Sequence, residues 1–101
     1  MTKRRLELSK KKIEKFCESN HIKRLSLFGS VLSGDFGPKS DVDILIEFVP
    51  GHVPELIRLA GMEIELSEII GRKVDLRTPM DLSRYFRKEV LKSAEVQYAE
   101  G

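Results

Sequence analysis

Three aspartates lie in stretches of the chain that are otherwise apolar. Asp41 directly precedes the run of residues 42–48, Asp43 lies within that run, and Asp75 lies within residues 73–77. A buried carboxylate is costly unless it is paired or binds a metal. Alternate residues of a strand share a face about 7 Å apart, so we predict that Asp41 and Asp43 project together, with Asp75 similarly placed on a neighbouring strand. Such oxygen ligands suit Mg²⁺, and in a two-metal site one ion activates an attacking hydroxyl while the other holds a triphosphate.

The Gly29-Ser30 pair directly follows the apolar run of residues 22–28. Glycine lets a backbone approach a phosphate without a Cβ in the way, and a short helix predicted over residues 30–32 would add N–H donors. The Ser30 hydroxyl can also donate to a terminal phosphate. An aspartate before a strand is often a turn or cap residue, and an isolated D-x-D pattern is weak support for a metal site. The Gly-Ser pair at a fixed interval before D-x-D, with Asp75 further on, favours a metal and triphosphate site over that structural explanation.

The elements that must position these residues alternate between helical and extended patterns. Strands are predicted over residues 22–28, 42–48 and 73–77, where apolar residues alternate or run together. An amphipathic first helix, with Cys17 on its core side, ends near Ser19 or Asn20, and a second apolar stripe over residues 56–70 ends at Gly71. Thr78, Pro79 and Asp81 predict the start of a final helix. The alternation indicates an α/β (α+β) fold.

The composition limits the class of protein. With 101 residues, of which 41% are hydrophobic and 34% charged, the chain is predicted to form a single domain, residues 1–101, of a globular protein. No apolar run reaches the ~18 residues that span a bilayer, and the basic stretch of residues 1–12 lacks the apolar core of a signal peptide. We therefore expect a cytoplasmic protein without membrane contact. The single cysteine, Cys17, excludes an internal disulfide, and with only two histidines beside it no Cys/His zinc cluster can be assembled.

The lysines and arginines near the start of the chain raise the alternative of a nucleic-acid patch. A solvated helix face has the same pattern, and no aromatic residues are interleaved for base stacking, so the solvated face is favoured.

The arrangement resembles a known family. Leu27-Phe28-Gly29-Ser30, then ten residues, then Asp41-Val42-Asp43, and later Lys73-Val74-Asp75-Leu76 are similar to the G-S-x10-D-x-D signature and third aspartate of the nucleotidyltransferase superfamily that includes DNA polymerase beta and kanamycin nucleotidyltransferase. The minimal nucleotidyltransferases (MNT) are the nearest group. The resemblance extends over nearly the whole chain and implies the DNA polymerase beta-like nucleotidyltransferase fold, a small mixed β-sheet flanked by helices.

The same resemblance implies a role for each site residue. Gly29 and Ser30 would hold the triphosphate of ATP or another NTP. Asp41 and Asp43 would bind both Mg²⁺ ions, and Asp75 would complete the site and help to deprotonate the acceptor. Family members often carry Arg shortly after the Gly-Ser pair. The chain departs from this, because its residues there are Val31, Leu32 and Ser33; Lys39, Arg72 or a partner's side chain would have to substitute.

Larger relatives carry an added domain for the acceptor, and we expect that another molecule presents it here. By resemblance to MNT antitoxins, that molecule is a helical HEPN toxin, neutralised by transfer of AMP to one of its tyrosines. One alternative is a stand-alone enzyme acting on a small hydroxylated molecule, or a homodimer with the acceptor pocket between subunits. Another is a module that inhibits its partner by contact, without catalysis. ATP consumption in the presence of the partner separates enzyme from module, and the identity of the acceptor separates the two enzymes.

Overall fold

The computed structural model describes residues 8–32, 37 and 39–100, and within them four strands form one mixed sheet. The strands are β1 (Ile22–Phe28), β2 (Val42–Phe48), β3 (Val74–Arg77) and β4 (Glu95–Ala99), in the spatial order β3-β2-β1-β4. β2 and β3 are parallel, and the other neighbours are antiparallel. The predicted mixed sheet is confirmed, and β4 adds a strand in a region to which the sequence patterns assign no element.

The α-helices are α1 (Lys10–Ser19), α2 (Leu56–Ile70) and α3 (Arg84–Ser93). α1 begins after Ser9, whose hydroxyl accepts a hydrogen bond from the Lys12 N–H at 3.4 Å, and it ends at the predicted position. α2 ends as predicted at Gly71, whose N–H donates to the Ser67 carbonyl at 2.8 Å. Across the described ranges, no helix is long and apolar enough to cross a membrane.

The hydrophobic core lies between one face of the sheet and the first two helices. Alternation along β2 places Val42, Ile44 and Ile46 on this face, and all three are completely buried. The core residues that surround them come from α1, β1, α2 and β3: Ile13, Phe16, Cys17, Leu25, Leu27, Met62, Leu66, Val74 and Leu76. A large apolar side chain stabilises the fold by roughly 1.5–3 kcal/mol when fully buried. Cys17 is fully buried, as predicted for the core side of α1.

The opposite face of the sheet carries the aspartates. Asp43 lies on this face because it alternates with the core residues of β2. Leu45 and Ser26, which pair across β2 and β1 on this face, are also buried. Asp75 is the register partner of Asp43. The sheet therefore separates an apolar face, covered by helices, from a face with a carboxylate pair.

The edge strand β3 is supported by polar side chains of α2. The Val74 N–H donates to Ser67 Oγ at 3.0 Å, and the Leu76 N–H donates to Glu63 Oε2 at 2.8 Å. These two N–H groups flank Asp75 along the strand. An unpaired backbone N–H in a part-buried position is destabilising. The side chains of α2 accept the hydrogen bonds that a further neighbouring strand would otherwise accept, and they thereby fix the position of Asp75.

The prediction of one final helix starting at Thr78 is wrong. Residues Pro79–Asp81 form a short 3₁₀ turn, and α3 begins separately at Arg84 with Ser83 as its cap. Asp81 Oδ2 accepts from both the N–H and the hydroxyl of Thr78 at 3.0 Å, which closes the turn on itself. The backbone then becomes extended at Leu82, with ψ of 142°, and this conformation ends any helix.

Candidate active site

The turn after β1 meets the start of β2. Phe28, the last residue of β1, pairs across the sheet with Asp43. Gly29 follows with φ of 76°, a left-handed conformation that residues with a Cβ rarely adopt. A Cβ on Gly29 would collide with Asp43 Oδ2 and lie 3.1 Å from Asp43 Cγ. Glycine therefore allows this backbone to lie directly against the carboxylate.

Ser30 follows in a four-residue 3₁₀ turn, Gly29–Leu32, where the sequence predicts a short helix. A backbone hydrogen bond of Ser30 stabilises the ionised form of the Asp43 carboxylate. Val31 is buried in the core and anchors the turn. Ser33, one of the three residues that stand where the family often carries Arg, lies outside the described residues.

The carboxylates of the site repel one another. Burial is the main reason that the pKa of Asp43 is raised, and the negative charge of Asp75 raises it further. Asp41 contributes in the same direction with a smaller effect, whereas the Ser30 hydrogen bond and Arg77 lower the pKa. Asp43 and Asp75 are part-buried, and Asp41 is exposed just before β2. The structure thus brings the three predicted aspartates into one electrostatic cluster.

Arg77 forms an ion pair with Asp75. Its Nε and a terminal nitrogen donate to the two carboxylate oxygens at 3.1 and 3.3 Å. The hydrogen bond to Asp75 and its charge raise the pKa of Arg77. Both side chains are partly open to solvent, with 47% of Arg77 and 35% of Asp75 accessible, so the pair contributes only about 0.2–1 kcal/mol. Such a weak pair can be exchanged for another ligand of Asp75.

The donor set has the right chemistry for a hard divalent cation. Asp41, Asp43 and Asp75 supply carboxylate oxygens, which Mg²⁺ prefers. A bound cation would offset the repulsion between these negative charges. Among the residues with described side chains, however, no three Asp, Glu, His or Cys groups are already gathered as a metal site. A cation bound by all three carboxylates would compete with Arg77, which contacts both oxygens of Asp75.

Arg72 fixes the loop before Asp41. One of its terminal nitrogens donates to the carbonyl oxygens of Gly37 and Ser40 at 2.7 and 2.9 Å. The Gly37 N–H also donates to Ser40 Oγ at 3.0 Å. The sequence makes Arg72 a candidate substitute for the missing phosphate-binding Arg. The structure gives it a role in loop geometry. Lys39, the other candidate substitute within the chain, lies in the same loop.

Sequence reasoning overlooks three residues that position or pair with the candidate site. From the sequence, Arg77 is only the end of a strand, and Glu63 and Ser67 are ordinary polar positions of α2. A signal for the last two is present, since residues four apart share one helix face and these two lie beside the core residues Met62 and Leu66. The Arg77 pair has no comparable signal, because neighbouring exposed charges are common on edge strands.

A family model for the nucleotidyltransferase domain matches residues 10–96. Among the relatives, a Methanocaldococcus jannaschii protein named "putative protein adenylyltransferase" is 33% identical over 85 residues, which cover 84% of this chain and 89% of that protein. The protein adenylyltransferase MntA of Thermococcus cleftensis is 34% identical over 77 residues, covering 76% of this chain and 74% of MntA.

Solved structures share the fold. A toxin–antitoxin complex crystallised with AMP-PNP contains a chain that matches with a TM-score of 0.74 and 22% identity, over 92% of this chain and 75% of that one. A structure of a tri-AMPylated Shewanella oneidensis HEPN toxin in complex with MNT antitoxin also contains a matching chain. The TM-score is 0.65 and the identity 20%, over 90% of this chain and 70% of the matched one. At this level of identity the likeness concerns the fold. Because the family match extends over most of the sequence, and both sequence relatives cover more than two thirds of it, this chain belongs to the nucleotidyltransferase family and is a nucleotidyltransferase enzyme.

Proposed function

We propose that this chain transfers AMP from ATP to a tyrosine hydroxyl of a HEPN-family toxin and thereby acts as its antitoxin. In this reaction the tyrosine oxygen forms a bond to the α-phosphorus of ATP, the bond from that phosphorus to pyrophosphate breaks, and the tyrosine proton passes to a base. Positioning and electrostatic stabilisation supply most of the catalysis in phosphoryl transfers. The proposal therefore rests on which groups are held where.

The observation that carries the proposal is the contact of the Gly29 backbone with Asp43, next to Asp75 on the neighbouring strand. A backbone turn without a Cβ suits a phosphate, and the adjacent carboxylates suit a cation that neutralises phosphate charge. In a nucleotidyltransferase the triphosphate and the cation must bind next to each other. The candidate residues for the two are in direct contact here.

Each residue of the site is assigned a role in this reaction. Gly29 and Ser30 hold the triphosphate, Gly29 through the close approach that its backbone allows and Ser30 through its hydroxyl. Asp41, Asp43 and Asp75 hold Mg²⁺, expected as two ions, which when bound offsets the phosphate charge and lowers the pKa of the attacking hydroxyl. Asp75 in addition accepts the proton of the acceptor. Asp43 keeps its orientation through the Ser30 backbone hydrogen bond.

The choice of acceptor follows from the relatives. MntA of Thermococcus cleftensis is named a protein adenylyltransferase, and the Shewanella oneidensis complex pairs an MNT antitoxin with an AMPylated HEPN toxin. Both support a protein hydroxyl over a small molecule as the acceptor. The AMP-PNP in the other toxin–antitoxin complex supports ATP as the donor.

A second candidate is an antitoxin that inhibits its partner by contact alone. The observation in its favour is the Arg77–Asp75 ion pair, which engages one of the three carboxylates. The residues at the position of the family's usual Arg point the same way, because they offer no cation to the phosphates.

The test is mass spectrometry of the HEPN-family partner after incubation with this chain, ATP and Mg²⁺. We expect AMP on a tyrosine of the partner, lost with Asp41→Asn and with Asp43→Asn. Transfer should fall on the order of a hundredfold or more, since even outer partners of metal ligands contribute ~10–100-fold. Glu47→Gln is the matched control, because Glu47 is a carboxylate of the same strand paired with Arg24.

Three outcomes would contradict the proposal in different ways. If both variants bind and inhibit the partner as the wild type does, and no protein gains AMP, the contact-only antitoxin is correct. If AMP appears on a small hydroxylated molecule and never on the partner, the acceptor is wrong. If Asp43→Asn retains wild-type transfer, the metal assignment is wrong.

A further inference from the structure

α3 is the least buried helix among the described elements. None of its ten residues is buried, although a helix of this length is marginal in water and depends on packing of an apolar face. Tyr85 is 81% exposed and Phe86 66% exposed. α3 is attached to the preceding turn by Arg87, which donates to the carbonyls of Pro79 and Leu82 at 2.7 and 3.1 Å. The helix is thus held in place by polar contacts while large apolar side chains face solvent.

Exposed apolar residues also lie in the turn before the helix and near the end of the helix. Met80 in the preceding turn is 80% exposed, and Leu91 is also exposed. We call the set Met80, Tyr85, Phe86 and Leu91 the α3 surface. Tyr, Phe, Met and Arg are enriched at the centres of protein interfaces. Scattered exposed apolar residues are common on any protein, but a helix without buried residues that carries several of them fits a docking element.

A row of positive charge runs along α3, between Leu91 on one side and Tyr85 and Phe86 on the other. Arg84, Lys88 and Lys92 follow one another at four-residue spacing, so their side chains lie along one stripe of the helix. Like charges at this spacing destabilise a helix by about 0.2–0.5 kcal/mol per pair. In the part of the chain that the structure describes, no carboxylate forms an ion pair with any of the three. Acidic residues of a partner would offset the repulsion among these three side chains.

The α3 surface adjoins the candidate active site. The turn that carries Met80, Pro79–Asp81, follows β3 almost directly and contacts β2, the strand of Asp43. Arg77, at the end of β3, binds Asp75. A macromolecule docked on α3 therefore lies beside the carboxylates.

We infer that the α3 surface docks the acceptor protein, through a patch of that protein that presents both acidic and apolar residues. This inference rests on the proposed function, because it names the surface by which the acceptor is presented. A second copy of the chain does not fit, since a two-fold contact centred on α3 would set the stripe of Arg84, Lys88 and Lys92 near itself. Bases of a nucleic acid could stack on Tyr85 and Phe86, but they would leave the aliphatic Met80 and Leu91 without a partner. A protein is therefore favoured, as in the toxin–antitoxin complex of the Shewanella oneidensis relative.

The experiment measures the affinity of the full chain for the HEPN-family partner by titration calorimetry, together with hydrogen exchange of the complex. Tyr85→Ala should weaken binding about tenfold or more, as expected for a central aromatic contact. Lys88→Glu should weaken it by a similar factor and invert the salt dependence, because attraction becomes repulsion. The matched controls are Ile57→Ala, an apolar residue 87% exposed on α2, and Lys11→Glu on α1; both should bind like the wild type. Amides of residues 84–93 should become protected in the complex.

Each other outcome identifies what is wrong. If the complex forms with wild-type affinity in both α3 variants and residues 84–93 gain no protection, the surface is wrong and the proposed function stands. If the wild-type chain does not bind the partner at all, the proposed function and the surface fail together. If the variants lose binding to single-stranded RNA while the protein complex stays intact, the surface serves nucleic acid and the inference is overturned. Thermal melts of each variant confirm that it is folded.

Discussion

Gly29 determines how closely the chain approaches the Asp43 carboxylate. Two separate constraints act at this position, the positive φ and the space occupied by the Asp43 side chain. Either would favour glycine, but only the second concerns the candidate site. Gly51 separates them, because it has a similar φ of 86° and nothing within 4 Å of an added Cβ.

We predict that Gly29→Ala destabilises the chain more than Gly51→Ala and also abolishes nucleotide binding. Both substitutions incur the left-handed backbone penalty of roughly 1–2 kcal/mol, and Gly29→Ala adds the collision with Asp43. Thermal unfolding and calorimetric titration with a non-hydrolysable ATP analogue measure the two effects. Equal losses of stability in the two variants, with nucleotide binding retained, would show that the Asp43 contact has no role.

The raised pKa of Asp43 predicts a pH dependence of stability. For a carboxyl group whose folded pKa lies above its unfolded value of about 3.9, the folded chain binds more protons between the two values, so the free energy of unfolding falls as the pH rises through this range. At pH 7, without divalent cations, Asp43→Asn should therefore raise the melting temperature. Below about pH 4 the gain should disappear. Melts across pH test this, with Glu65→Gln as the control at an exposed position of α2. A lower melting temperature of the Asp43→Asn variant at pH 7 would refute it.

The ion pair of Arg77 with Asp75 predicts competition with cations. Arg77→Met keeps the aliphatic stem and removes the charge, so divalent cations should bind up to about fivefold more tightly, in line with the ~0.2–1 kcal/mol contributed by exposed pairs. Mn²⁺ binding followed by electron paramagnetic resonance gives the affinity. Arg24→Met is the matched control, because Arg24 is paired with Glu47 on the same sheet at 3.4 Å. An equal change in both variants would mean that general charge, and no competition at Asp75, is responsible.

The site residues could be predicted from the sequence because each stands out against an apolar surrounding. Asp43 and Asp75 are polar residues at fixed positions of apolar strands, and the Gly29-Ser30 pair ends a strand. Their roles in catalysis remain predictions. The partner of Asp75 could not be predicted, because the reach of the Arg77 side chain depends on the edge position of β3, which no residue pattern specifies.

Among the elements, β3 shows how a short edge strand is kept in register. Its four residues have one neighbouring strand, β2, and its outer N–H groups at Val74 and Leu76 are satisfied by Ser67 and Glu63 of α2. Helix and strand are consecutive in the chain, so a local contact sets the position of Asp75. The placement of a site residue thus depends on the helix that precedes its strand.

Glu63→Ala should destabilise the chain by about 1–3 kcal/mol, the cost of leaving a part-buried N–H without an acceptor. Glu63→Gln should recover much of this, because its amide oxygen can accept from the Leu76 N–H. Glu65→Ala, at an exposed position of the same helix, controls for helix propensity. Chemical denaturation gives the free energies. If Glu63→Ala and Glu65→Ala are equally stable, the hydrogen bond to β3 contributes nothing.

The element boundaries that the sequence predicts well are those with strong periodicity. β1, β2 and α2 have the predicted bounds because apolar residues recur at the spacing of a strand or helix and the segments end at Gly29, Pro50 and Gly71. β4 escapes prediction because its alternation is weak and it gains its neighbour, β1, only through the tertiary fold. The final helix is mispredicted because the capping signals at Thr78 also suit a single 3₁₀ turn, and only the extended backbone at Leu82 distinguishes the two.

For the whole molecule, burial is uneven. The core unites one face of the sheet with α1 and α2, whereas α3 contributes no buried residue and β4 lies at the edge of the sheet. Regions with few buried apolar contacts open at a low free-energy cost compared with global unfolding. α3, the helix that we propose as the docking surface for the partner, is therefore also the helix that packing within the chain stabilises least.

Hydrogen exchange of the free chain should show this order. Amides of residues 84–93 are expected to exchange much faster than those of residues 42–48, whose strand has hydrogen-bonded neighbours on both sides. Mass spectrometry of peptides over a time course gives the ranking. Slow exchange in α3 at the level of β2 would contradict the marginal stability assigned to this helix.

The rate at which the buried thiol of Cys17 reacts with a labelling reagent measures the opening of the core. The Cys17 side chain is fully buried, and burial raises the pKa of the thiol to about 12, so at neutral pH it is neither accessible nor ionised. Since only the thiolate reacts with disulfide and alkylating reagents and the chain contains a single cysteine, the rate of labelling reports how often α1 separates from the sheet. The chain thus carries its own internal reporter for deciding whether a loss of activity in a variant comes from the site or from a loosened core.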